Sequence, residues 1–358
     1  MNEDCLKLTC YFGERHRSAG RFVADRLLDI YGRNEIASSI MLRGVEGFGL
    51  KHHLRSDSSL TLSEDLPAVA IAVDSRARIE SILDEVAGIE NVGLVTLERA
   101  RLIQGDIGPI SLPESLHEAT KLTVYLGRQE RTYRVPAYVG VCELLHRRGI
   151  AGATVLLGVD GTRHGQRERA QFFGRNAEVP MMVMAIGSGP SITRVLPELG
   201  ALLRTPLISL ERVRICKRDG ELLERPHELP GTDQHGMALW QKLSIITSAA
   251  AQHGGQPVYR AITRQLRATG SSGTTSLRGI WGFHGDHAPH GDRPLQVARH
   301  VPTLTIVIDT PERTAAAFPI IDALTAERGL IISEMVPAVH ARSSDRRRGG
   351  LRLASHHY

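Results

Sequence analysis

The sequence has little of several features that would identify common protein classes. It has only four cysteines, Cys5, Cys10, Cys142 and Cys216, and no two of them form a CxxC pair. This argues against a zinc ribbon or a CxxC redox motif and favours reduced structural thiols. Aromatic residues make up 4% of the chain, so we expect cores built mainly from aliphatic side chains.

Long hydrophobic runs are also missing. The longest apolar stretches, such as residues 181–186, have the length of a strand and fall far short of the roughly 20 residues of a membrane-spanning helix. The N-terminal sequence MNEDCLKLTC lacks the basic and apolar regions of a signal peptide. The sequence therefore predicts a cytoplasmic protein.

Catalytic motifs are absent as well. The chain contains no GxSxG, HExxH or Walker A motif and no pair of carboxylates on a predictably rigid element. We therefore expect that the protein is not an enzyme.

The charge is unevenly distributed. The net charge is +5, and much of the excess lies in residues 342–352. Such a surface attracts nucleotides, nucleic acid or anionic lipid, but a short basic terminus is also commonly a solvated tail. We interpret residues 341–358 as a basic, disordered tail and expect no nucleic-acid partner.

Three copies of one unit follow one another along the chain. In each copy a lysine lies in a short apolar strand, and a Gly-x-x-Gly motif begins 37 residues later. A proline that opens an apolar run follows, and a strand with a glutamate near its end closes the unit. These landmarks are Lys7, Gly44, Gly47, Pro67 and Glu98; Lys121, Gly158, Gly161, Pro180 and Glu211; and Lys242, Gly279, Gly282, Pro302 and Glu334.

Periodicity within copy one predicts the elements of the unit. Residues 6–12, 38–42, 67–73 and 94–102 resemble strands, and residues 21–31 and 79–86 have the apolar spacing of helices. We expect Pro197 and Pro319 to shorten or kink the second helix in copies two and three. The order β-α-β-β-α-β is that of a ferredoxin-like α+β domain. The domains are predicted at residues 1–103, 118–216 and 239–340.

A ferredoxin-like sheet carries both helices on one face and needs a cover on the other. Three copies in one chain can cover one another around a pseudo-threefold axis, so we expect a single-chain pseudo-trimer that is monomeric in solution. Because Glu98, Glu211 and Glu334 recur in the last strand of each copy, we interpret them as inter-domain salt-bridge residues.

The motifs of the three copies resemble a known family. KLTCYFGE, MLRGVEGFG and LSEDLPAVAIAVDS in copy one, KLTVYLGR and RRGIAGATVLLGVDG in copy two, and RGIWGFHG and VPTLTIVIDTPE in copy three are similar to the PII-like family called domain of unknown function 190. The resemblance covers nearly the whole chain apart from the linkers and the tail.

The resemblance implies a regulatory function. PII-type proteins are trimers of ferredoxin-like domains that bind adenine nucleotides or related effectors in clefts between subunits. A long loop after the second strand then signals to a transporter or an enzyme. The family is also similar to soluble partners of fluoride-channel-type membrane proteins. We therefore expect a small anionic effector, with an adenine nucleotide as the candidate, and a protein partner such as a membrane transporter or fluoride-type channel.

The loop after the second strand supplies the candidate effector-binding residues. Glycines let backbone N–H groups approach a phosphate and an arginine neutralises it, although glycines can equally serve only to shape the turn. Copy two has Leu157 in place of the arginine, so we expect fewer than three sites. The candidates are Arg43, Gly44, Glu46, Gly47, Phe48 and Gly49 in copy one, and Arg278, Gly279, Gly282 and Phe283 in copy three.

Histidines in the same loop of copy three give an alternative hypothesis. His284, His287 and His290 are spaced three residues apart, and imidazole groups at short range bind zinc, copper or nickel. The alternative function is a divalent-metal-binding PII-like protein. Histidine-rich loops are also often simply solvated, so the sequence alone leaves this open.

Overall fold

The computed structural model describes residues 2–49, 52–57, 65–108, 112, 118–163, 166–167, 179–284, 288–291, 301–326, 329–343 and 346–356. In these residues the chain is a mixed α/β protein with three successive units. Each copy has the order β-α-β-β-α-β, and a short extra strand, here called the loop strand, follows the second strand. This is the element order that the repeat predicts.

The main elements have the same order in all three copies. In copy one they are Asn2–Gly13, helix Val23–Arg33, Ser38–Arg43, loop strand Glu46–Phe48, Pro67–Ser75, helix Arg76–Ala87 and Gly93–Gln104. In copy two they are Thr120–Gly127, helix Ala137–Arg147, Gly152–Leu157, loop strand Asp160–Arg163, Pro180–Gly187, helix Gly189–Leu202 and Leu207–Arg212. In copy three they are Trp240–Ser248, helix Val258–Ala268, Thr274–Arg278, loop strand Trp281–His284, Pro302–Asp309, helix Pro311–Leu324 and Leu330–Val336.

Shorter strands lie between and after these elements. Arg214–Arg218 follows copy two, and Ala338–Ser343 and Arg346–Gly350 follow copy three. A two-strand hairpin precedes the first helix of each copy: Arg17–Ser18 with Arg21–Phe22, Arg131–Thr132 with Val135–Pro136, and Gln252–His253 with Gln256–Pro257. Further two-residue strands are Arg55–Ser56, Gln166–Arg167, Glu221–Leu222 and His290–Gly291.

The prolines inside the second helices do not shorten them. The helices that contain Pro197 and Pro319 each have 14 residues, whereas the proline-free helix of copy one has 12. The prediction was a shortened or kinked helix; the helices are not shortened, and the kink stays a prediction. Buried Leu196 and Leu199 flank Pro197, and their packing holds the helix across the lost backbone hydrogen bond.

Each copy forms an antiparallel sheet in the order second, third, first and last strand. One face of each sheet packs against the two helices of its copy, forming three separate cores. The opposite faces meet in one common core, to which all three copies contribute aliphatic side chains such as Ile71, Met184 and Leu304. The copies therefore cover one another's sheet faces on the side that carries no helices, as the repeat arrangement requires.

Two cycles of strand pairing join the copies. The loop strand of copy one pairs with the second strand of copy three, that of copy two with copy one, and that of copy three with copy two. The last strands form the other cycle. Residues 101–104 pair with 207–210, residues 214–218 with 330–333, and residues 338–342 with 93–97. Each copy is thus hydrogen-bonded to both others.

The segment predicted to be a disordered tail is ordered where it is described. Ala338–Ser343 pairs with both Arg346–Gly350 and the last strand of copy one. Beyond this hairpin, Ala354 is buried and Leu353 packs on the helix-side core of copy one. The strand that closes the second pairing cycle begins at Ala338, inside the predicted third domain, and continues into the predicted tail, whose described residues include strand pairs where disorder was predicted.

Among the residues described, no helix is both long enough and apolar enough to cross a membrane.

Candidate functional site

Three lysines and three glutamates form a closed ring of ion pairs where the copies meet. Each lysine contacts the glutamate of its own copy and the glutamate of a neighbouring copy. Lys7 lies 3.1 Å from Glu98 and also bonds Glu211; Lys121 lies 2.8 Å from Glu211 and also bonds Glu334; Lys242 lies 3.2 Å from Glu334 and also bonds Glu98. None of the six side chains is more than 9% exposed. The inter-domain ion pairs expected of the three glutamates are therefore present.

Burial disfavours the charged forms of the three lysines and of Glu98 and Glu211, and the neighbouring opposite charges favour them. The lysines outweigh burial at Glu98 and Glu211 and hold both carboxyl pKa values below their ordinary range. Burial also disfavours the charged forms of Lys7 and Lys242, but their glutamates raise both pKa values. At Lys121 burial prevails and the pKa is lowered. Alternation of sign around the ring is what makes six buried charges tolerable.

The ring does not have the chemistry of a metal centre. Glu98, Glu211 and Glu334 bring one oxygen each within 4.8 Å of one another, a spacing that a cation can use. Three ammonium groups already contact these carboxylates, so a divalent ion would add charge to a neutral cluster. We interpret the ring as a structural element that fixes the three copies in register.

A cavity of about 500 Å³ lies between copies one and three. Copy one contributes the end of its first strand, the loop strand and the start of its last strand. Copy three contributes Trp240 and residues of its second and third strands, and the C-terminal hairpin contributes Ala341 and Arg342. The volume is in the range of pockets that hold small ligands, roughly 300 to 1,000 Å³.

The lining of this cavity combines basic and large apolar residues. No Asp or Glu is among its described lining residues. The basic residues are Arg15, His16, Arg17, His53, Arg55 and Arg342, and the large apolar residues are Tyr11, Phe12, Phe48, Leu94, Trp240, Ile306 and Ile308. This combination suits a ligand with an anionic group and a flat or apolar body.

Two of the three basic residues after the first strand, Arg15 and His16, belong to copy one only, whereas Arg17 has Arg131 at the corresponding position of copy two. Where copy one has Arg15-His16-Arg17, copy two has Gln129-Glu130-Arg131 and copy three has Ala250-Ala251-Gln252. Trp240 likewise has Cys5 and Ala119 at the corresponding positions of copies one and two. The three inter-copy clefts therefore differ in chemistry, although their strand pairing is alike.

One carboxylate, that of Asp65, contacts basic residues that line the cavity. Asp65 accepts a hydrogen bond from the backbone N–H of Arg15 at 2.8 Å and pairs with Nε of Arg55 at 3.0 Å. Nη2 of Arg55 is also 3.2 Å from Nε2 of His16, whose other ring nitrogen is 3.0 Å from the carbonyl oxygen of Asn91. Asp65 thus links the loop of copy one to the turn after its first strand.

Arg43, the predicted phosphate ligand, points elsewhere. Its guanidinium forms a two-pronged ion pair with Glu14, at 2.6 and 2.9 Å, and its side chain is 55% exposed. The Glu14 hydrogen bonds raise the pKa of Arg43. Arg43 is not among the residues that line the cavity.

Glu46 and Arg278 lie together at a different contact between copies one and three. Glu46 is buried, is 3.0 Å from Nε of Arg260 and accepts a hydrogen bond from Ser56. Arg260 and Arg278 both pair with Asp57, at 3.0 and 3.4 Å. Burial raises the pKa of Glu46. This cluster anchors the first part of the copy-one loop on copy three.

The two predicted phenylalanines anchor one copy in the core of another. Phe48 of copy one packs in the helix-side core of copy three, and Phe283 of copy three packs in that of copy two. Phe48 also lines the cavity, together with Gly49. Copy two has the buried Thr162 at this position, and its hydroxyl is 2.8 Å from that of Ser39 in copy one.

The glycines of the repeated motif allow close backbone approach between copies. A Cβ atom on Gly47 would lie 2.5 Å from the carbonyl oxygen of Thr274, and one on Gly282 would lie 2.2 Å from that of Ala153. Similar crowding surrounds Gly44 and Gly279, at about 3 Å from backbone oxygens of the neighbouring copy. Loop-strand pairing accounts for these glycines without a ligand.

The metal hypothesis for copy three stays a prediction. His284 lies at the end of the loop strand, and Nδ1 of His290 is 3.0 Å from the carbonyl oxygen of Ala288. His287 lies outside the described residues. In the described part of the chain, the three-donor group with metal-ligand spacing is the glutamate trio of the ring.

Several site residues escaped the sequence argument. The basic pair Arg15-His16 after the first strand could have been found by comparing the copies, because copies two and three have no basic residue at these two positions. Lys7, Lys121 and Lys242 served as repeat landmarks, and a charged residue recurring inside apolar strands was a signal of a buried partner. The positions of Arg342 and Trp240 in the cavity carry no local signal, since distant strands bring them there.

The chain belongs to the family of domain of unknown function 190, described as "Uncharacterized ACR". The family model matches residues 5–102, 119–215 and 240–338, which confirms three tandem copies. Among solved structures, the aspartate kinase from Synechocystis is similar at 12% identity with a TM-score of 0.25. The match covers 96% of this chain but only 45% of the kinase chain, and a likeness this low carries no argument.

Proposed function

We propose that the protein is a PII-like regulatory protein, a single-chain pseudo-trimer of ferredoxin-like copies that binds a small anionic effector between copies one and three. The observation that carries the proposal is the cavity there, which is lined by four arginines together with aromatic and aliphatic side chains. The two pairing cycles and the common core support the pseudo-trimer.

The lining favours an adenine nucleotide or a compound of similar chemistry. Guanidinium groups bind phosphate through paired, charge-assisted hydrogen bonds, and aromatic side chains pack on flat heterocycles. Trp240 and Phe12 are among the apolar lining residues, while the basic residues Arg15, Arg17 and Arg342 come from two different segments of the chain. We propose binding without catalysis, so that the effector is a signal and not a substrate.

The signal would leave through the copy-one loop, residues 44–66. Its loop strand lines the cavity through Phe48, and its later part returns to the cavity through Arg55. The proposed partner is another protein, with a membrane transporter or a fluoride-type channel as the candidate, because that is what the family resemblance implies.

Calorimetry with ATP, ADP, AMP and cyclic AMP on the purified chain tests the proposal. Arg17→Ala removes a guanidinium from the cavity and should weaken binding of the bound nucleotide by about 1.5 to 3 kcal/mol. Arg131→Ala is the matched control. Arg17 donates to the carbonyl of Gly20 at 2.8 Å, and Arg131 donates to that of Arg134 at 3.0 Å in the corresponding hairpin of copy two.

Tryptophan fluorescence gives an independent measurement. The chain has two tryptophans, and Trp240 lines the cavity. In a Trp281→Phe background, nucleotide should change the emission of Trp240. Equal affinities of the Arg17 and Arg131 variants, or binding that leaves Trp240 emission unchanged, would place the effector elsewhere and reject this site.

A further inference from the structure

Near the end of the copy-one loop, the carboxylate of Asp65 is bound by residues that line the cavity. Asp65 receives the backbone N–H of Arg15 at one oxygen and the Arg55 guanidinium at the other. Its second oxygen is also 3.8 Å from Nε2 of His16. A backbone N–H, a guanidinium and an imidazole converging on two oxygens are the donors that a phosphate or carboxylate group needs.

The backbone at this point leaves room for an anion. A Cβ atom on Gly13 would lie 2.2 Å from an oxygen of Asp65, so the carboxylate sits directly against the glycine. The next residue, Glu14, donates its N–H to the carbonyl of Leu66 at 2.8 Å, which holds the loop end beside the turn. Arg15, His16 and Arg55 all line the cavity as well as surrounding Asp65.

We propose that this is an anion subsite of the cavity, that Asp65 fills it when no effector is bound, and that the anionic group of the effector displaces Asp65. The inference rests on the proposed function and adds the regulation of that site. Because Asp65 ties the Arg55 side chain to the turn after the first strand, its displacement loosens the loop at Arg55. The internal carboxylate and the effector compete for the same donors.

If Asp65 competes with the anion for the same donors, a substitution that weakens Asp65 as a competitor should strengthen anion binding. Asp65→Asn keeps the size of the side chain but removes its negative charge, so it competes less well for Arg55. The wild type binds an anion more weakly because the subsite is open in only a fraction of the chains. The variant raises that fraction and therefore the apparent affinity. We expect Asp65→Asn to bind inorganic pyrophosphate roughly tenfold more tightly than the wild type does.

Asp57→Asn is the matched control. Asp57 lies in the same loop and pairs with Arg260 and Arg278, but it is not among the cavity-lining residues. It should leave pyrophosphate affinity unchanged. If Asp65→Asn folds poorly, Asp65→Ser provides the same loss of charge with a smaller side chain.

Loosening of the loop is measured separately, by proteolysis with and without pyrophosphate. Limited trypsin digestion should cut after Arg55 faster in Asp65→Asn than in the wild type, and pyrophosphate should speed that cut in the wild type. Weaker or equal pyrophosphate binding by Asp65→Asn would overturn the inference, because Asp65 would then only position Arg55. Absence of pyrophosphate binding to both proteins would overturn it as well.

The two proposals fail differently. If nucleotides do not bind but pyrophosphate binds more tightly to Asp65→Asn, the anion subsite stands and the nucleotide effector is wrong. If ATP binds the wild type and Asp65→Asn binds ATP less tightly, the cavity stands and the internal competitor is wrong.

Discussion

The buried ammonium of Lys7, in copy one, bonds the carboxylate of Glu211, in copy two, across the point where the three copies meet. Equivalent bonds join copy two to copy three, through Lys121 and Glu334, and copy three to copy one, through Lys242 and Glu98. Each lysine is therefore a link between two copies, and the ring closes only when all three copies are in the correct register. This contact gives the first two predictions.

Removing one carboxylate from the ring should be strongly destabilising. Glu211→Gln leaves Lys7 and Lys121 with a buried excess of positive charge, and breaking a buried pair in this way costs about 3 to 5 kcal/mol. Glu198→Gln is the control, because Glu198 forms an exposed pair with Arg148. Such surface pairs are worth about 0 to 1 kcal/mol. Urea denaturation followed by circular dichroism measures both, and equal midpoints would contradict the role assigned to the ring.

The ring should also make the protein sensitive to acid. The pKa values of Glu98 and Glu211 are lowered in the folded protein, so their contribution to stability is complete above the unfolded carboxyl pKa, about 4.3. It is lost as the pH falls below that value towards the lowered folded pKa values. We expect the free energy of unfolding to fall steeply below about pH 4.5. A Glu98→Gln variant should show a shallower fall, and parallel curves would argue against ionised ring carboxylates.

The motif glycines should differ in their tolerance of a methyl group. Gly47→Ala places Cβ 2.5 Å from the carbonyl oxygen of Thr274, whereas Gly49→Ala meets no atom within 4 Å. The first change should disturb the pairing of copies one and three and cost about 1 to 3 kcal/mol. The second should change stability by less than about 0.5 kcal/mol. Thermal unfolding of the two variants provides the comparison, and similar melting temperatures would show that the strand pairing adjusts freely.

Effector binding should occur at fewer than three sites per chain, with one expected. Arg15, His16 and Trp240 have no equivalents in the other copies, and Arg17 has one only in copy two, Arg131, so the residues do not supply a symmetric set of three sites. Isothermal titration with the nucleotide that binds best gives the stoichiometry directly. Three equal sites per chain would show that the strand framework, and not the copy-specific arginines, makes the site.

The chain should be monomeric in dilute solution. The sheet faces that a single-copy protein would cover by association are already buried in the common core of the three copies. Light scattering should give a mass near 39.2 kDa, the mass of one chain. A stable trimer of chains would mean that a further surface, outside the common core, drives association.

The sequence by itself determined the repeat, and through the repeat the order of the elements. Aliphatic periodicity is local, so strands such as Pro67–Ser75 and helices such as Val23–Arg33 were predictable to within a few residues. The recurrence of Glu98, Glu211 and Glu334 in apolar strands also pointed to contacts between copies. Membership of the family followed from the same motifs.

The tertiary structure alone decided what these residues contact. Arg43 and Glu46 are close in sequence to Phe48, which lines the cavity, yet Arg43 pairs with Glu14 and Glu46 with Arg260. The cavity instead gathers Trp240 and Arg342, which lie far along the chain from the copy-one loop. Residues 338–342 form a strand because the last strand of copy one offers them an open edge, and the composition of these residues does not reveal that edge. Local patterns fix which residues form strands and helices, whereas the partners of a charge or an edge depend on residues that only folding brings near.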